Sequence, residues 1–411
     1  MIIGSDNDRW IFLGLGKTTR VSARYFNGDL LCLSETAKGV EEFHFDRQSN
    51  EWVWSQQHSR QSFDSLNWQN YFPSFFILSP GIDPCRTFFA QIQSTELREL
   101  DLFRKFFKGP CIVVTGTNGK SSLAARIAFL LERHLAGSPV FLGGNFGRPM
   151  LDICGGDFGA AVLEISSFQA QRLKSAEFDL GVLLNLSPDH LDRYRSVQDY
   201  YQAKLELLDR CEFVAIPSDL PLSYSRVSES LIQFESESRQ RDILIRLFKE
   251  LSKKWNFQFQ ENLFDQLPSL PHRLERKQLE SGAWIINDSK ATNVDSTLYA
   301  LKQLQPEFSK ILLILGGKSK GGEFAKIASM LRARDEAHLY GQARGEIGAT
   351  FERSGQKFQM HLSLAELLKS FRLKLKKGDC LLLSPACASF DEFQNYEDRG
   401  RFFFESFLKA S

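Results

Sequence analysis

The apolar positions of this chain gather in short runs, at 10–13, 75–78, 111–114, 160–163, 180–186, 311–315 and 380–383, and each run gives way to glycine, serine or other polar residues. Runs of this length fit strands buried on both faces better than helices. Between them the apolar spacing changes. Leu123, Ile127, Leu130, Leu131 and Leu135 fall at helical intervals, and 96–107, 200–208, 243–254, 323–333 and 363–373 also read as helical. Strands alternating with helices predict an α/β fold built on parallel sheets. Residues 38–70 are polar and rich in Trp, Gln and Ser, and read as strands and loops. The pattern pauses near Gly109 and at Pro268-Ser-Leu-Pro271. With 411 residues, too many for one core, the chain is expected to form three domains, 1–108, 109–271 and 272–411.

The polar ends of the runs carry the candidate chemistry. The 111–114 run leads into Thr115-Gly-Thr-Asn-Gly-Lys-Ser-Ser122 and then into the helical stretch. Strand, glycine turn, Lys-Ser and helix form a phosphate cradle. Glycines admit close backbone approach, the helix N-terminus adds partial positive charge, Lys120 reaches the β/γ-phosphates, and Ser121 suits Mg²⁺. The full G-x-x-x-x-G-K-[ST] pattern would want glycine at Val114. The 160–163 run ends in Glu164, and buried glutamates are rare unless paired or metal-bound. The 180–186 run ends in Ser187-Pro-Asp-His190. Singly, His190 would more often be structural; its shared strand-end position with Lys120, Ser121 and Glu164 makes it a Mg-ATP candidate. Asn145, after the strand-like 140–142, is placed at the same edge. Gly14-Leu-Gly16 with Thr19 is a degraded G-x-G-x-x-G, and Ser79-Pro-Gly81 follows another strand. In the last third, Asp288, Lys290 and Thr292 follow one strand, Lys320 a second and Ser389 a third, so 272–411 reads as a Rossmann-like unit.

Composition removes alternatives. A formal net charge of +1 gives no reason to expect a nucleic-acid surface. Seven cysteines without C-x-x-C spacing argue against a zinc site or a disulfide framework and fit a reduced cytoplasmic setting. The opening residues lack a basic start before an apolar run, and no run is long enough to span a bilayer, so neither a secretory signal nor a membrane partner is expected.

Gly116-Thr-Asn-Gly-Lys-Ser121, Leu163-Glu-Ile-Ser-Ser-Phe-Gln169 and Leu186-Ser-Pro-Asp-His-Leu-Asp-Arg-Tyr194 resemble the Mur ligase family of ATP-dependent amide-forming enzymes. Asn287-Asp-Ser-Lys-Ala-Thr-Asn293 and Leu383-Ser-Pro-Ala-Cys-Ala-Ser-Phe-Asp-Glu-Phe393 are similar to the branch that adds D-glutamate. The resemblance implies an N-terminal Rossmann-like domain for a UDP-linked substrate, a central P-loop-type ATPase domain and a C-terminal Rossmann-like domain for the amino acid. It implies that Gly116, Thr117, Asn118, Gly119, Lys120, Ser121, Ser122, Arg273 and Asp288 bind ATP. Ser121, Glu164, His190 and a carbamylated Lys204 would hold two Mg²⁺ ions. Leu15, Gly16, Ser79, Gly81 and Asn145 would meet UDP-N-acetylmuramoyl-L-alanine. Lys290 joins Lys120, Glu164, His190 and Lys204 as catalytic, while Thr292, Lys320, Ser389 and Tyr396 would take D-glutamate. A cytoplasmic monomer is implied, in peptidoglycan precursor synthesis; the competing expectation is another Mur-type or folylpolyglutamate-type ligase. One segment departs from the family: Ser238-Arg-Gln-Arg-Asp242 stands where His-Asn-x-x-Asn is usual on the adenine side.

Overall fold

The computed structural model describes the chain apart from residues 1–2, 15–16, 60, 73, 79–81, 83–85, 93–95, 136, 190–193, 221–230, 236–237, 372–374 and 409–411. Its strands form three six-stranded sheets, and its contacts divide it into two compact units. Met1–Leu186 with Gln198–Pro268 hold the first two sheets; Ser187–Val197 with Ser269–Ser411 hold the third.

The first sheet comprises β1 (Arg9–Leu13), β2 (Asp29–Thr36), β3 (Gly39–Asp46), β4 (Glu51–Ser59), β5 (Phe75–Leu78) and β6 (Glu96–Leu97), in the order β4-β3-β2-β1-β5-β6. The β1, β2, β5 and β6 pairings are parallel, whereas β2-β3-β4 is an antiparallel meander. The polar stretch expected to be strands and loops is thus mainly this meander, whose outer strands can tolerate one wet face. Helices α1 (Lys17–Ser22), α2 (Phe89–Ile92) and α3 (Glu99–Phe106) complete this region. The helix expected from residue 96 begins three residues later: Glu96 and Leu97 pair with Phe76 and Ile77 as a strand, and extended Arg98 caps α3.

The second sheet is wholly parallel, in the order β12-β11-β10-β7-β9-β8. Its strands are β7 (Cys111–Thr115), β8 (Val140–Gly144), β9 (Ala160–Glu164), β10 (Phe178–Leu183), β11 (Cys211–Pro217) and β12 (Leu231–Phe234). Helices α4 (Lys120–His134), α5 (Ser167–Ala170), α6 (Val197–Leu208) and α7 (Gln240–Lys254) accompany them. All five β7 residues are buried, because apolar clusters cover both faces. Leu123, Ile127, Leu130 and Leu131 of α4 are fully enclosed, each worth about 1.5–3 kcal/mol relative to exposure. From β7 the chain builds to one side through β9 and β8 and to the other through β10, β11 and β12. The carboxyl ends beside such a reversal are where open α/β sheets bind ligands.

The third sheet runs β13-β14-β18-β15-β16-β17, parallel except for β13 (Glu275–Gln278) against β14 (Trp284–Asn287). The others are β15 (Lys310–Gly316), β16 (Glu336–Tyr340), β17 (Phe358–Met360) and β18 (Asp379–Leu383). Helices α8 (Val294–Leu304), α9 (Phe324–Met330), α10 (Arg344–Arg353), α11 (Leu364–Phe371) and α12 (Tyr396–Leu408) flank it.

Candidate active site

In the second sheet the sequence break after β7 becomes a tight loop. Gly116 has φ +138° and Gly119 φ +80°, and a Cβ on Gly119 would come within 2.6 Å of Leu184 Cδ2. Glycine there answers both backbone conformation and space. Asn185, just past β10, holds the loop open: its Oδ1 accepts from Thr117 N at 3.1 Å and Asn118 N at 2.8 Å, and its Nδ2 donates to Asn118 O at 3.0 Å. The expected site did not include Asn185, whose partners lie 67 and 68 residues away in sequence. Lys120 opens α4, and its Nζ donates to Thr117 O at 2.8 Å across the cradle.

Behind the loop stands Glu164, only 2% exposed at the end of β9. Ser121 Oγ donates to Glu164 Oε2 at 2.5 Å, and Asn145 Nδ2 donates to Oε1 at 2.8 Å. Asn145 N also donates to the Glu164 carbonyl at 2.8 Å. Three strand ends thus bring Ser121, Glu164 and Asn145 together, as their sequence positions suggested. Lys204, on the inner face of α6, is 1% exposed; its Nζ donates to Gly116 O at 2.9 Å and lies 4.6 Å from the Tyr200 ring. Tyr200 OH meets Thr117 Oγ1 at 3.2 Å. A lysine this enclosed and tied to the loop is unlike an ordinary surface lysine.

The departing 238–242 segment also reaches the loop. Gln240 Nε2 donates to Gly119 O at 3.3 Å, while its Oε1 accepts from Arg126 Nη1 at 2.7 Å. Gln240 therefore braces the phosphate loop, which no local sequence pattern announced. In the first sheet Thr19, occupying the last glycine's place of the degraded motif, donates from Oγ1 to Gly14 O at 2.6 Å. Leu15, Gly16, Ser79, Gly81 and His190 lie outside the described residues.

In the second unit, Asp288 follows β14 and is buried. Ser384 Oγ donates to its Oδ2 at 2.8 Å and Leu274 N to its Oδ1 at 3.3 Å. Burial pushes its carboxyl up to about 7, offset in part by the hydrogen bonds and by Arg273. Lys290 Nζ stands 3.8 Å from the centre of the Tyr396 ring. Arg399, wholly buried, donates from Nε to Ser289 Oγ at 2.9 Å, from Nη2 to Ser289 O at 2.8 Å and from Nη1 to Cys387 O at 3.1 Å. It fastens the Asp288–Thr292 stretch to the one that carries Ser389. Lys318 and Ala388 exchange backbone hydrogen bonds at 2.8 and 3.0 Å, which sets the Lys320 loop beside buried Ser389. Thr292 is half-buried just ahead of α8, whose first turn Asn293 caps.

Among the described residues no group of three or more His, Cys, Asp or Glu side chains is placed to hold a metal, and no helix is long and apolar enough to cross a membrane.

The Mur ligase middle domain matches residues 114–261, and the Mur ligase glutamate ligase domain matches residues 272–387. The UDP-N-acetylmuramoylalanine--D-glutamate ligase of Haemophilus ducreyi is 32% identical over 74% of this chain and 76% of its own length. The enzyme of the same name from Marinobacter nauticus is 29% identical over 98% of each chain. In fold, the chain is similar to the UDP-N-acetylmuramate-alanine ligase of Thermotoga maritima, with a TM-score of 0.60 at 14% identity over 98% of this chain and 100% of that one. It is also similar to a pseudomurein peptide ligase type C from Methanothermus fervidus, with a TM-score of 0.55 at 14% identity over 92% and 97%. The chain belongs to the Mur ligase family, among its UDP-N-acetylmuramoylalanine--D-glutamate ligase relatives.

Proposed function

We propose that the chain is an ATP-dependent ligase that adds D-glutamate to UDP-N-acetylmuramoyl-L-alanine through an acyl phosphate, in peptidoglycan precursor synthesis. We assign residues 1–108 to the UDP-linked substrate, 109–271 to ATP and 272–411 to the amino acid. The observation that carries the reading is the Ser121–Glu164 pair beneath the Gly116–Lys120 cradle. A hydroxyl and a buried carboxylate are hard oxygen donors of the kind Mg²⁺ takes beside a nucleotide triphosphate, so the residues present fit the ion; bound there, it would neutralise charge on the phosphates.

The substrate carboxylate attacks the γ-phosphorus of ATP, ADP leaves, and the amine of D-glutamate then displaces phosphate from the acyl phosphate. Both steps gather negative charge. Lys120 meets it directly, and Asn185, by taking the Thr117 and Asn118 N–H groups, fixes the shape of the loop before the substrate arrives. Asn145 and Glu164 fix one another, which suits Asn145 to a polar group of the UDP-linked substrate. Arg273 and Asp288 are assigned to ATP, and Lys290 to the acyl group. Thr292, Lys320, Ser389 and Tyr396 are assigned to D-glutamate, whose two carboxylates need a cation and hydroxyls. We assign a second Mg²⁺ to His190 and a carbamate on Lys204. Addition of CO₂ to a neutral amine gives an anionic group with two hard oxygens, and Lys204 is already at the loop carbonyl. The enzyme is taken to act in the cytoplasm as a monomer.

The test is phosphate release with UDP-N-acetylmuramoyl-L-alanine, ATP and, in turn, D-glutamate, L-glutamate, L-lysine and diaminopimelate. Release with D-glutamate alone is expected. Equal release with a different amino acid would move the chain to another branch of the family. Ser389→Ala should raise the D-glutamate KM about tenfold and leave the ATP KM within about twofold, as loss of a hydrogen bond to a charged group predicts. An equal rise in both would remove the D-glutamate assignment.

A further inference from the structure

The reaction as assigned makes no use of two stretches of the chain: the 238–242 segment, which departs from the family, and the pause at Pro268-Ser-Leu-Pro271. One series of side-chain contacts joins both to the phosphate loop. Gln240 is the first residue of α7, and Arg126 lies in the second turn of α4. Gln240 Nε2 donates to Gly119 O at 3.3 Å, and its Oε1 accepts from Arg126 Nη1 at 2.7 Å. Arg126 Nε donates in turn to Pro268 O at 3.3 Å. All four residues belong to the first compact unit, and Pro268 is its last residue before the chain enters the second.

The polarity of each link is forced. A guanidinium only donates and a main-chain carbonyl only accepts, so the Gln240 amide presents oxygen to Arg126 and nitrogen to Gly119. The centre of the series is its strong link, because a charged donor shortens and strengthens a hydrogen bond. Gly119 is where direction matters most. It caps α4 in the left-handed conformation, and its carbonyl also accepts from Leu123 N at 3.1 Å. A trans peptide sets its C=O and N–H on opposite sides. Holding Gly119 O from α7 therefore also aims the Lys120 N–H, one of the first amides of α4, and such amides face the anion in a phosphate cradle. Asn185 shapes the loop earlier, at Thr117 and Asn118. Apolar packing joins the same elements: Ile127 and Ile243 share one core, and Leu267 lies against it. That packing holds the elements together but is non-directional, so it does not orient a peptide plane.

We propose that Gln240 and Arg126 are positioning residues that align the Gly119–Lys120 peptide for the nucleotide phosphates and carry the state of the loop to Pro268, where the chain leaves the first unit. A phosphate that turns this peptide moves its carbonyl against Gln240, and the ionic centre passes the shift to Pro268 O. The role is positional, not catalytic. The inference rests on the ligase reading in taking the loop as the ATP site.

The experiment compares the full chain with Gln240→Met and Arg126→Lys. Methionine keeps the length of glutamine without its donor or acceptor. Lysine can still donate to Gln240 Oε1, but it lacks the rigid fork that also holds Pro268 O. Titration with Mg-ADP should give a Kd about fivefold higher for Gln240→Met, the scale of one hydrogen bond, and within about twofold of the parent for Arg126→Lys. In ligation, Gln240→Met should raise the ATP KM by a similar factor and leave the KM values of the other two substrates within about twofold. Melting temperatures should stay within a few degrees of the parent. Amide exchange of the peptide spanning 267–270 reads the far end of the series. Saturating Mg-ADP should slow it about threefold or more in the unaltered chain and in neither variant, while the α4 peptide is slowed in all three. An unchanged Mg-ADP Kd in Gln240→Met would overturn the alignment of the loop. Exchange at 267–270 that ignores Mg-ADP in the unaltered chain, or slows equally in all three, would overturn the link to Pro268. Failure of the unaltered chain to ligate while it still binds Mg-ADP would overturn the ligase reading alone.

Discussion

Two glutamates stand at the carboxyl edges of two parallel strands, Glu164 as the last residue of β9 and Glu35 near the end of β2, and they are held in opposite ways. Glu164 is 2% exposed and accepts from a serine hydroxyl and an asparagine amide. Glu35 is near the surface and forks with Arg86, whose Nε also reaches Asp64 at 2.8 Å. Burying a carboxylate costs stability, and a fold keeps such an arrangement where its oxygens are to meet a cation. Pairing a carboxylate with arginine at the surface costs little and fastens a loop. The comparison separates an edge prepared for chemistry from an edge already satisfied by its own protein.

If that separation is right, Glu164→Gln has the largest effect. Glutamine can still accept from Asn145 Nδ2 and, with the Ser121 hydroxyl turned round, donate to it, so the fold should survive, but it offers Mg²⁺ no charge. Turnover should fall about a thousandfold, the scale of losing one preorganised electrostatic group, and Lys120→Ala should do the same. Phosphate-release rates check both. Near-normal turnover in either would show that the cradle is not the ATP site.

Lys204 comes next. As an unmodified cation it would oppose Mg²⁺; as a carbamate it would supply oxygens. Lys204→Ala should be nearly inactive and partly restored by acetate or formate, whereas Lys204→Arg should stay inactive. Normal turnover in Lys204→Arg would end the carbamate assignment.

Asp288 gives a smaller effect with a definite sign. Burial raises its pKa to about 7, so ionising it costs the folded state. The penalty is absent below the unfolded value of about 4, grows as pH rises toward 7 and is complete above it. Asp288→Asn can still accept from Leu274 N and meet Ser384. It should melt higher than the parent at pH 8 and level with it near pH 4, while ATP turnover falls. A variant that melts lower at pH 8 would show that the carboxylate is stabilised by partners rather than strained by burial.

What could be read from sequence follows the same division. Lys120, Ser121 and Glu164 were legible because each sits at the end of an apolar run, where strand geometry alone delivers it to the sheet edge. The α/β alternation was legible for the same reason. Asn185 and Gln240 were not, because each acts on a backbone group 67 to 121 residues away, and no local periodicity encodes such a partner. The start of α3 was misread because Glu96 and Leu97 are spent on pairing with β5. The polar β3–β4 meander is an antiparallel addition whose outward faces carry little pattern to recognise.

Glu35→Gln should have the smallest effect, and its direction with pH is opposite to that of Asp288. The Arg86 fork, helped by the Phe63 amide at 3.1 Å and opposed by partial burial, holds the Glu35 carboxyl below the usual range. A lowered carboxylate pKa stabilises the fold above the unfolded value of about 4.3, and that contribution is lost as pH falls through the folded value. Both side chains keep about a quarter of their surface in water, 24% for Arg86 and 28% for Glu35, so screening limits the gain to about 1 kcal/mol or less. Asp64 also remains on Arg86 in the variant. Denaturant unfolding should therefore place Glu35→Gln slightly below the parent at pH 7 and together with it once pH has fallen below the folded value. ATP turnover at saturating substrates should not change. A loss of turnover approaching that of Glu164→Gln would erase the distinction between the two edges, because it would mean that Glu35 serves the reaction and that Arg86 is a partner it gives up when substrate binds.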